Sequence, residues 1–198
     1  MHPAILLLEF DSIAVGIDAG DAMAKRATLT SLHAGSVQPG KYLVLAGGEV
    51  AEVEEARTAG RERARTALVD ELYLPEVHSE VVAALTGGRR PSHGEALGII
   101  ETKTVSAVIA AADVGVKAAE VAILEIRMAD GLGGKGYVLF SGQLHDVEAA
   151  VAHAEAAVRP RDQLIERVVI PKLHREMLEN LSTSPEFGAR VRSSSGQD

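Results

Sequence analysis

The segment Asp130–Tyr137 reads DGLGGKGY. Gly131, Gly133 and Gly136 spell G-x-G-x-x-G, the spacing of a dinucleotide-binding turn, and Gly134-Lys135 is a fragment of a phosphate loop. Either motif works only where the glycines follow a strand and open a helix, because phosphates sit on the free N–H groups of a helix's first turn. A strand is predicted at Ala122–Arg127. The glycines, however, lead into Tyr137-Val138-Leu139-Phe140, an apolar run of strand type. Ala129 stands where the first glycine of a phosphate loop belongs, and Gly136 stands where its hydroxyl belongs. The loop therefore reads as the tip of a hairpin whose backbone passes close to something, and not as a nucleotide cradle.

Other residues with chemical potential form no working set. The acid pairs Glu52/Glu55 and Asp146/Glu148 fall in the early turns of predicted helices, where carboxylates complement the helix dipole. His145 and His153 lie eight residues apart on one predicted helix, too far apart to share a metal ion. His78 and His174 follow predicted strands and are expected to pack or cap. Ser106 and Ser141 have no identifiable base, so no nucleophile, base and orienting group converge. No catalytic residue, metal site or cofactor is expected, and the chain is read as a non-enzyme.

Composition narrows the classes further. The formal net charge of −8 gives no basic face for phosphate backbones, so nucleic acid is not an expected partner. There is no Cys among the 198 residues, which excludes disulfides, thiol catalysis and clusters ligated by the chain's own thiolates. The apolar run near the N-terminus is interrupted by Glu9 and Asp11, far short of a membrane span. With aromatics at 3%, the core must be built from Ala, Val, Leu and Ile. Such a core buries little area per residue and often needs a partner surface.

The elements that position these residues occur twice. Ala4–Leu29 aligns with Ala96–Val121, bringing Glu9 onto Glu101, Asp21 onto Asp113 and Lys25 onto Lys117. Pro39–Ala56 aligns with Gly133–Ala150, and Leu74–His78 with Ile170–His174. The order is the same in both copies, so the chain is a tandem duplication. In the first copy Ile5–Leu8 reads as a buried strand, and Asp11-Ser12 as caps for a helix ending near Lys25-Arg26. Strands follow at Thr28–His33 and Tyr42–Ala46, then a helix over Val50–Ala67 and a strand over Leu68–Leu74. The order βαββαβ predicts an α/β (α+β) fold, a ferredoxin-like sandwich with helices on one face of an antiparallel sheet. The expected organisation is a first domain over 1–86, a linker over 87–94, a second domain over 95–181 and a disordered tail over 182–198.

Both copies resemble the bacterial microcompartment shell domain. The resemblance rests on ALGIIETKTVSAVIAAADVGVKAAEV, GLGGKGYVLFSGQLHDVEAAV and VVIPKLH, repeated in weaker form in the first copy. It is strongest to the trimeric, tandem-domain members with unpermuted domains, of the kind found in propanediol-utilisation shells. The resemblance implies a homotrimer that acts as a pseudohexamer and tiles with hexameric and pentameric shell proteins into a shell in the cytoplasm around enzymes. It places Gln38, Pro39 and Gly40 of the first domain and Leu132, Gly133 and Gly134 of the second around a central metabolite pore. It places Lys25, Arg26, Lys117 and Lys172 at the edge between tiles. Where its Pro-Arg-Pro-His-like edge segment is expected, this chain has Pro75-Glu76-Val77-His78 and Pro171-Lys172-Leu173-His174, so Glu76 reverses the edge charge. Some similar trimers carry Cys at the position of Gln38 and hold an iron–sulfur cluster there. Without Cys the expectation here is a passive or selective pore. The rival reading is a ring-forming regulatory trimer that binds a small molecule.

Overall fold

The computed structural model describes residues 4–88, 90–91 and 94–182. The chain begins with strand β1 (Ala4–Phe10), helix α1 (Ile13–Arg26), strands β2 (Ser31–Val37) and β3 (Lys41–Gly48), helix α2 (Val50–Ala64) and strand β4 (Leu68–Leu74). A short helix α3 (Ser79–Gly87) leads to the second copy. That copy comprises β5 (Ala96–Thr102), α4 (Val105–Ala118), β6 (Ala122–Met128), β7 (Gly136–Gly142), α5 (Leu144–Val158), a 3-10 turn at Arg159–Arg161, β8 (Leu164–Ile170) and α6 (Arg175–Ser182).

Each copy folds into a four-stranded antiparallel sheet, in the orders β2-β3-β1-β4 and β6-β7-β5-β8. The duplication extends to register: Leu7 pairs with Leu45, and Ile99 with Leu139. A register shift recurs at Glu9/Phe10 and at Glu101/Thr102. Local chemistry sets the elements. Ser12 caps α1 by accepting the Val15 N–H at 3.4 Å, and Thr104 caps α4 by accepting the Ala107 N–H at 3.2 Å. Lys25 and Arg26 end α1 where cations complement the dipole. Helix α2 stops at Ala64 and not at the expected Ala67. Arg65 turns to a φ of 51° there, and the Ala67 N–H closes onto the Ala64 carbonyl at 2.9 Å.

Every residue of β1 is buried, and the strand is apolar apart from Glu9, because both faces of its sheet are covered. Leu6, Leu8 and Phe10 pack with Met23 of α1 and Val53 of α2. Ile5, Leu7 and Leu72, on the opposite face, join a core with Val105 and Ile109 of α4, a helix of the other copy. Helix α4 is therefore held between two sheets, and Val105, Ile109 and Ala112 are all essentially inaccessible. Close approach of helix to sheet needs small residues: a Cβ on Gly115 would stand 2.5 Å from the Phe140 ring.

The sequence reading missed α3 and α6. His78 and His174 begin them, their Nδ1 atoms accepting the Glu80 N–H at 3.2 Å and the Glu176 N–H at 3.4 Å. Both histidines are thus helix caps. Of the expected linker, Gly87 closes α3. Arg90 donates its N–H to the Leu124 carbonyl at 2.8 Å and pairs with Glu80 at 2.6 Å. Of the expected tail, Ser182 ends α6, and 183–198 lie outside the described residues.

Candidate functional site: a loop pair and a repeated junction

The β2–β3 and β6–β7 loops meet. A cis peptide joins Gln38 to Pro39, and the Gly40 N–H closes the turn onto the Val37 carbonyl at 2.9 Å. In the longer second loop Ala129 donates to the Lys135 carbonyl and Leu132 to the Ala129 carbonyl, both at 2.9 Å. Gly131, Gly133 and Gly134 all have positive φ (73°, 63° and 87°). This conformation explains Gly131 and Gly133 of the nucleotide-like motif; its third glycine, Gly136, begins β7, where a Cβ would stand 2.5 Å from Val108. A Cβ on Gly134 would stand 3.0 Å from Pro39 Cδ and 3.1 Å from the Gln38 carbonyl oxygen. The thing the second hairpin passes close to is the first. Gln38, at this meeting point, is exposed, and Leu132, two residues before Gly134, is half-buried. Behind each loop a lysine pairs with a glutamate of the central strand: Lys41 with Glu9 at 3.5 Å, and Lys135 with Glu101 at 3.0 Å.

The junction between the copies is polar at its rim and apolar within. Glu9 Oε1 accepts the Ser106 N–H at the start of α4 at 2.6 Å, a carboxylate on a helix N-terminus. Thr104 donates its hydroxyl to Asp70 at 2.6 Å, and Arg161 pairs with the same carboxylate. At the far end of α4, Asp113 accepts the His78 N–H at 2.8 Å. Lys117 donates to the Glu76 carbonyl and pairs with Asp113, both at 2.6 Å. Asp113 and Lys117 thus form a clip that holds the backbone between Glu76 and His78.

Burial pushes the Glu9 carboxyl above the usual glutamate range, against the opposing pull of the Ser106 N–H and Lys41. An acid whose pKa rises on folding binds more protons folded than unfolded. Its contribution to stability is therefore greatest below the ordinary glutamate pKa and falls as pH rises to the raised one. Glu9→Gln is expected to remove that component. The melting temperature of the wild type relative to Glu9→Gln should fall from mildly acidic to neutral pH, and a difference independent of pH would contradict the assignment.

The structure brings Gln38, Pro39, Gly134 and Lys41 together. Lys25, Arg26, Lys117 and Lys172 lie elsewhere. Lys25 and Lys172 are highly exposed and Arg26 pairs with Glu55 at 3.0 Å, whereas Lys117 is half-occupied by the clip. His145 and His153 both lie on α5. Among the described residues there is no group of three or more His, Asp or Glu placed to hold a metal ion, and no helix long and apolar enough to cross a membrane. The Glu9, Asp70 and Asp113 contacts were missed by sequence reasoning. The available signal was α4 itself, VSAVIAAADVGVKA, which is apolar nearly all round where α1 is not.

Two tandem four-stranded units with paired hairpin tips define a duplicated shell-domain architecture. The BMC domain family model matches residues 4–77 and 96–173, and the chain belongs to that family. It is 41% identical over 177 residues to the bacterial microcompartment shell protein PduT of Citrobacter freundii, covering 89% of this chain and 96% of that one. The major carboxysome shell protein CsoS1A of Halothiobacillus neapolitanus is 38% identical over 94 residues, which is 47% of this chain and 94% of that protein. A solved microcompartment protein from Desulfitobacterium hafniense superposes with a TM-score of 0.80 at 40% identity, over 90% of this chain and 99% of that one.

Proposed function

We propose that the protein is a structural tile of a bacterial microcompartment shell, three chains closing a pseudohexameric ring around the meeting point of the β2–β3 and β6–β7 loops. The observation that carries this reading is an imbalance between duplicated positions. Ile13, Ile17, Val168 and Met177 are 43%, 54%, 41% and 51% exposed, whereas their counterparts Val105, Ile109, Leu72 and Val81 are 1%, 0%, 5% and 0%. The exposed set comprises one helix face, on α1, and one sheet-and-helix face, on β8 and α6. These are the two halves of the junction that α4 and the first sheet already make. One chain therefore carries an unused knob and an unused seat of the same interface. Such a head-to-tail contact generates a ring where the rotation closes.

On this reading six loops, two per chain, surround the axis, and Gln38, Pro39, Gly40, Leu132, Gly133 and Gly134 line a pore for small metabolites. Backbone N–H groups of the glycine segment offer polar contacts without charged side chains. Lys25, Arg26, Lys117 and Lys172 stand at the rim, where tiles meet hexameric and pentameric shell proteins, with enzymes enclosed. The shell reading accounts for both the duplication and the absence of any catalytic constellation among the described residues. The test is electron microscopy of the purified protein with a hexameric shell partner. Sheets, tubes or closed shells are expected, and a persistently isolated ring holding a tightly bound metabolite would favour a regulatory trimer. Lys172→Ala should abolish or slow sheet growth while leaving ring mass unchanged; undiminished sheets would remove Lys172 from the rim.

A further inference from the structure

We propose that Glu9 is a proton-operated latch on the first loop: ionised, it holds Lys41 and with it the β2–β3 turn; protonated, it donates to the Ser106 hydroxyl and releases Lys41. The proposal rests on the pore reading only for its consequence, a pore lining that loosens in acid.

The two oxygens of Glu9 serve different parts of the molecule. Oε1 accepts the Ser106 N–H of the second copy at 2.6 Å, and Oε2 accepts from Lys41 Nζ at 3.5 Å. Lys41 follows Gly40 directly. Gly40 has a φ of 102° and open space around it, so a hinge lies beside the residue that is held. The Lys41 ammonium also stands 3.6 Å from the point where a Gly134 Cβ would lie, so the same side chain reaches the second loop. The Glu9 side chain is wholly buried, whereas that of Lys41 is 18% exposed. The latch is therefore fixed at its carboxyl end and free to leave at its ammonium end.

Ser106 supplies the second state. Its Oγ is buried and near enough to act on the Glu9 carboxyl, yet it makes no hydrogen bond while Glu9 faces Lys41. A buried hydroxyl without a partner is costly. A proton taken from solvent onto Oε2 gives Glu9 an O–H that donates to Ser106 Oγ, while Oε1 keeps the Ser106 N–H. Both buried groups are then satisfied, and Lys41, left beside a neutral acid, turns to water.

The surroundings favour this protonation. Burial pushes the Glu9 carboxyl up, and so does the Asp70 carboxylate on the neighbouring strand, against the Ser106 N–H and Lys41. The charged groups around Glu9 are Lys41 on β3, Asp70 on β4 and, beyond Asp70, Arg161 on the 3-10 turn. From the start of α4 come only the uncharged Ser106 and Thr104, whose hydroxyl holds Asp70 at 2.6 Å. The latch occurs once per chain. In the second copy Lys135 and Glu101 are 51% and 34% exposed, and the counterpart of Ser106 is Ala14, which has no hydroxyl to receive the proton.

The test is hydrogen exchange of the full chain, read by mass spectrometry on the peptide of residues 36–43 from mildly alkaline to mildly acidic pH. Protection is expressed against the unstructured exchange rate at each pH. The Gly40 N–H, closed onto the Val37 carbonyl, reports the turn. Protection of this peptide is expected to fall about tenfold through one transition above the ordinary glutamate range, as one hydrogen bond to a charged group is lost. The α5 peptide should keep its protection throughout. Lys41→Met and Glu9→Gln should each give the low protection at every pH. Ser106→Ala, which removes the acceptor of the protonated state, should move the transition to lower pH by roughly half a unit to one unit. Protection independent of pH in the wild type, or a transition that stays in place or rises in Ser106→Ala, would overturn the latch. Sedimentation of the same samples separates the two readings: a pH-dependent loop in a chain that forms no ring would uphold the latch and overturn the pore.

Discussion

Ile109→Asp is expected to unfold the chain, whereas Ile17→Asp, at the duplicate position, should leave the chain folded and remove only the ring. Ile109 is inaccessible between the two sheets, in a core with Leu7 and Val105. An aspartate there loses the apolar burial of an isoleucine, worth about 1.5–3 kcal/mol. It also leaves a charge with no partner, for a further cost of about 3–5 kcal/mol. The sum is comparable with the entire stability of a domain, about 5–15 kcal/mol. Ile17 is 54% exposed in the single chain, so the same substitution should change its stability by no more than about 0.5 kcal/mol. In the ring Ile17 takes the environment of Ile109, and the charge becomes equally unwelcome. Circular dichroism melts report the first effect and sedimentation the second. Rings persisting in Ile17→Asp would mean that the exposed face of α1 is not a subunit contact.

Gly134→Val should be the most damaging single change in the paired loops. A φ of +87° is strained for a β-branched residue, at a cost of about 1–3 kcal/mol. Its Cβ would also press to 3.0 Å from Pro39, in the other loop. The two loops must then part, so the variant should melt at lower temperature and show altered loop positions around the ring axis. Gly133→Ala separates the two causes. Gly133 also has positive φ, but nothing lies within 4 Å of an added Cβ, so only the backbone strain remains. A Gly134→Val protein as stable as Gly133→Ala would mean that contact between the loops carries no weight.

Much of this was legible in the residues. The duplication, the strand order and the hairpin character of DGLGGKGY followed from apolar runs, caps and the spacing of Glu9, Asp21 and Lys25 against their copies. What was not legible is the difference between the copies. Glu9 and Glu101 are the same residue in the same register, yet one is wholly buried and the other is not. Burial here depends on which sheet receives α4, a contact between residues about a hundred positions apart, and no local pattern encodes it. The meeting of Gly134 with Pro39 is hidden for the same reason. Helices α3 and α6 are short, and each opens with a histidine in place of a Ser, Thr, Asp or Asn cap, so their starts carried a weak signal.

Native mass spectrometry of the purified full-length protein at micromolar concentration tests the central claim most directly. A single dominant species of three times the 20.8 kDa chain mass is the predicted result, with a central opening at the loop pair in electron-microscopy class averages of the same sample. A stable monomer, or a closed dimer with Ile13 and Ile17 still accessible to solvent, would contradict the account.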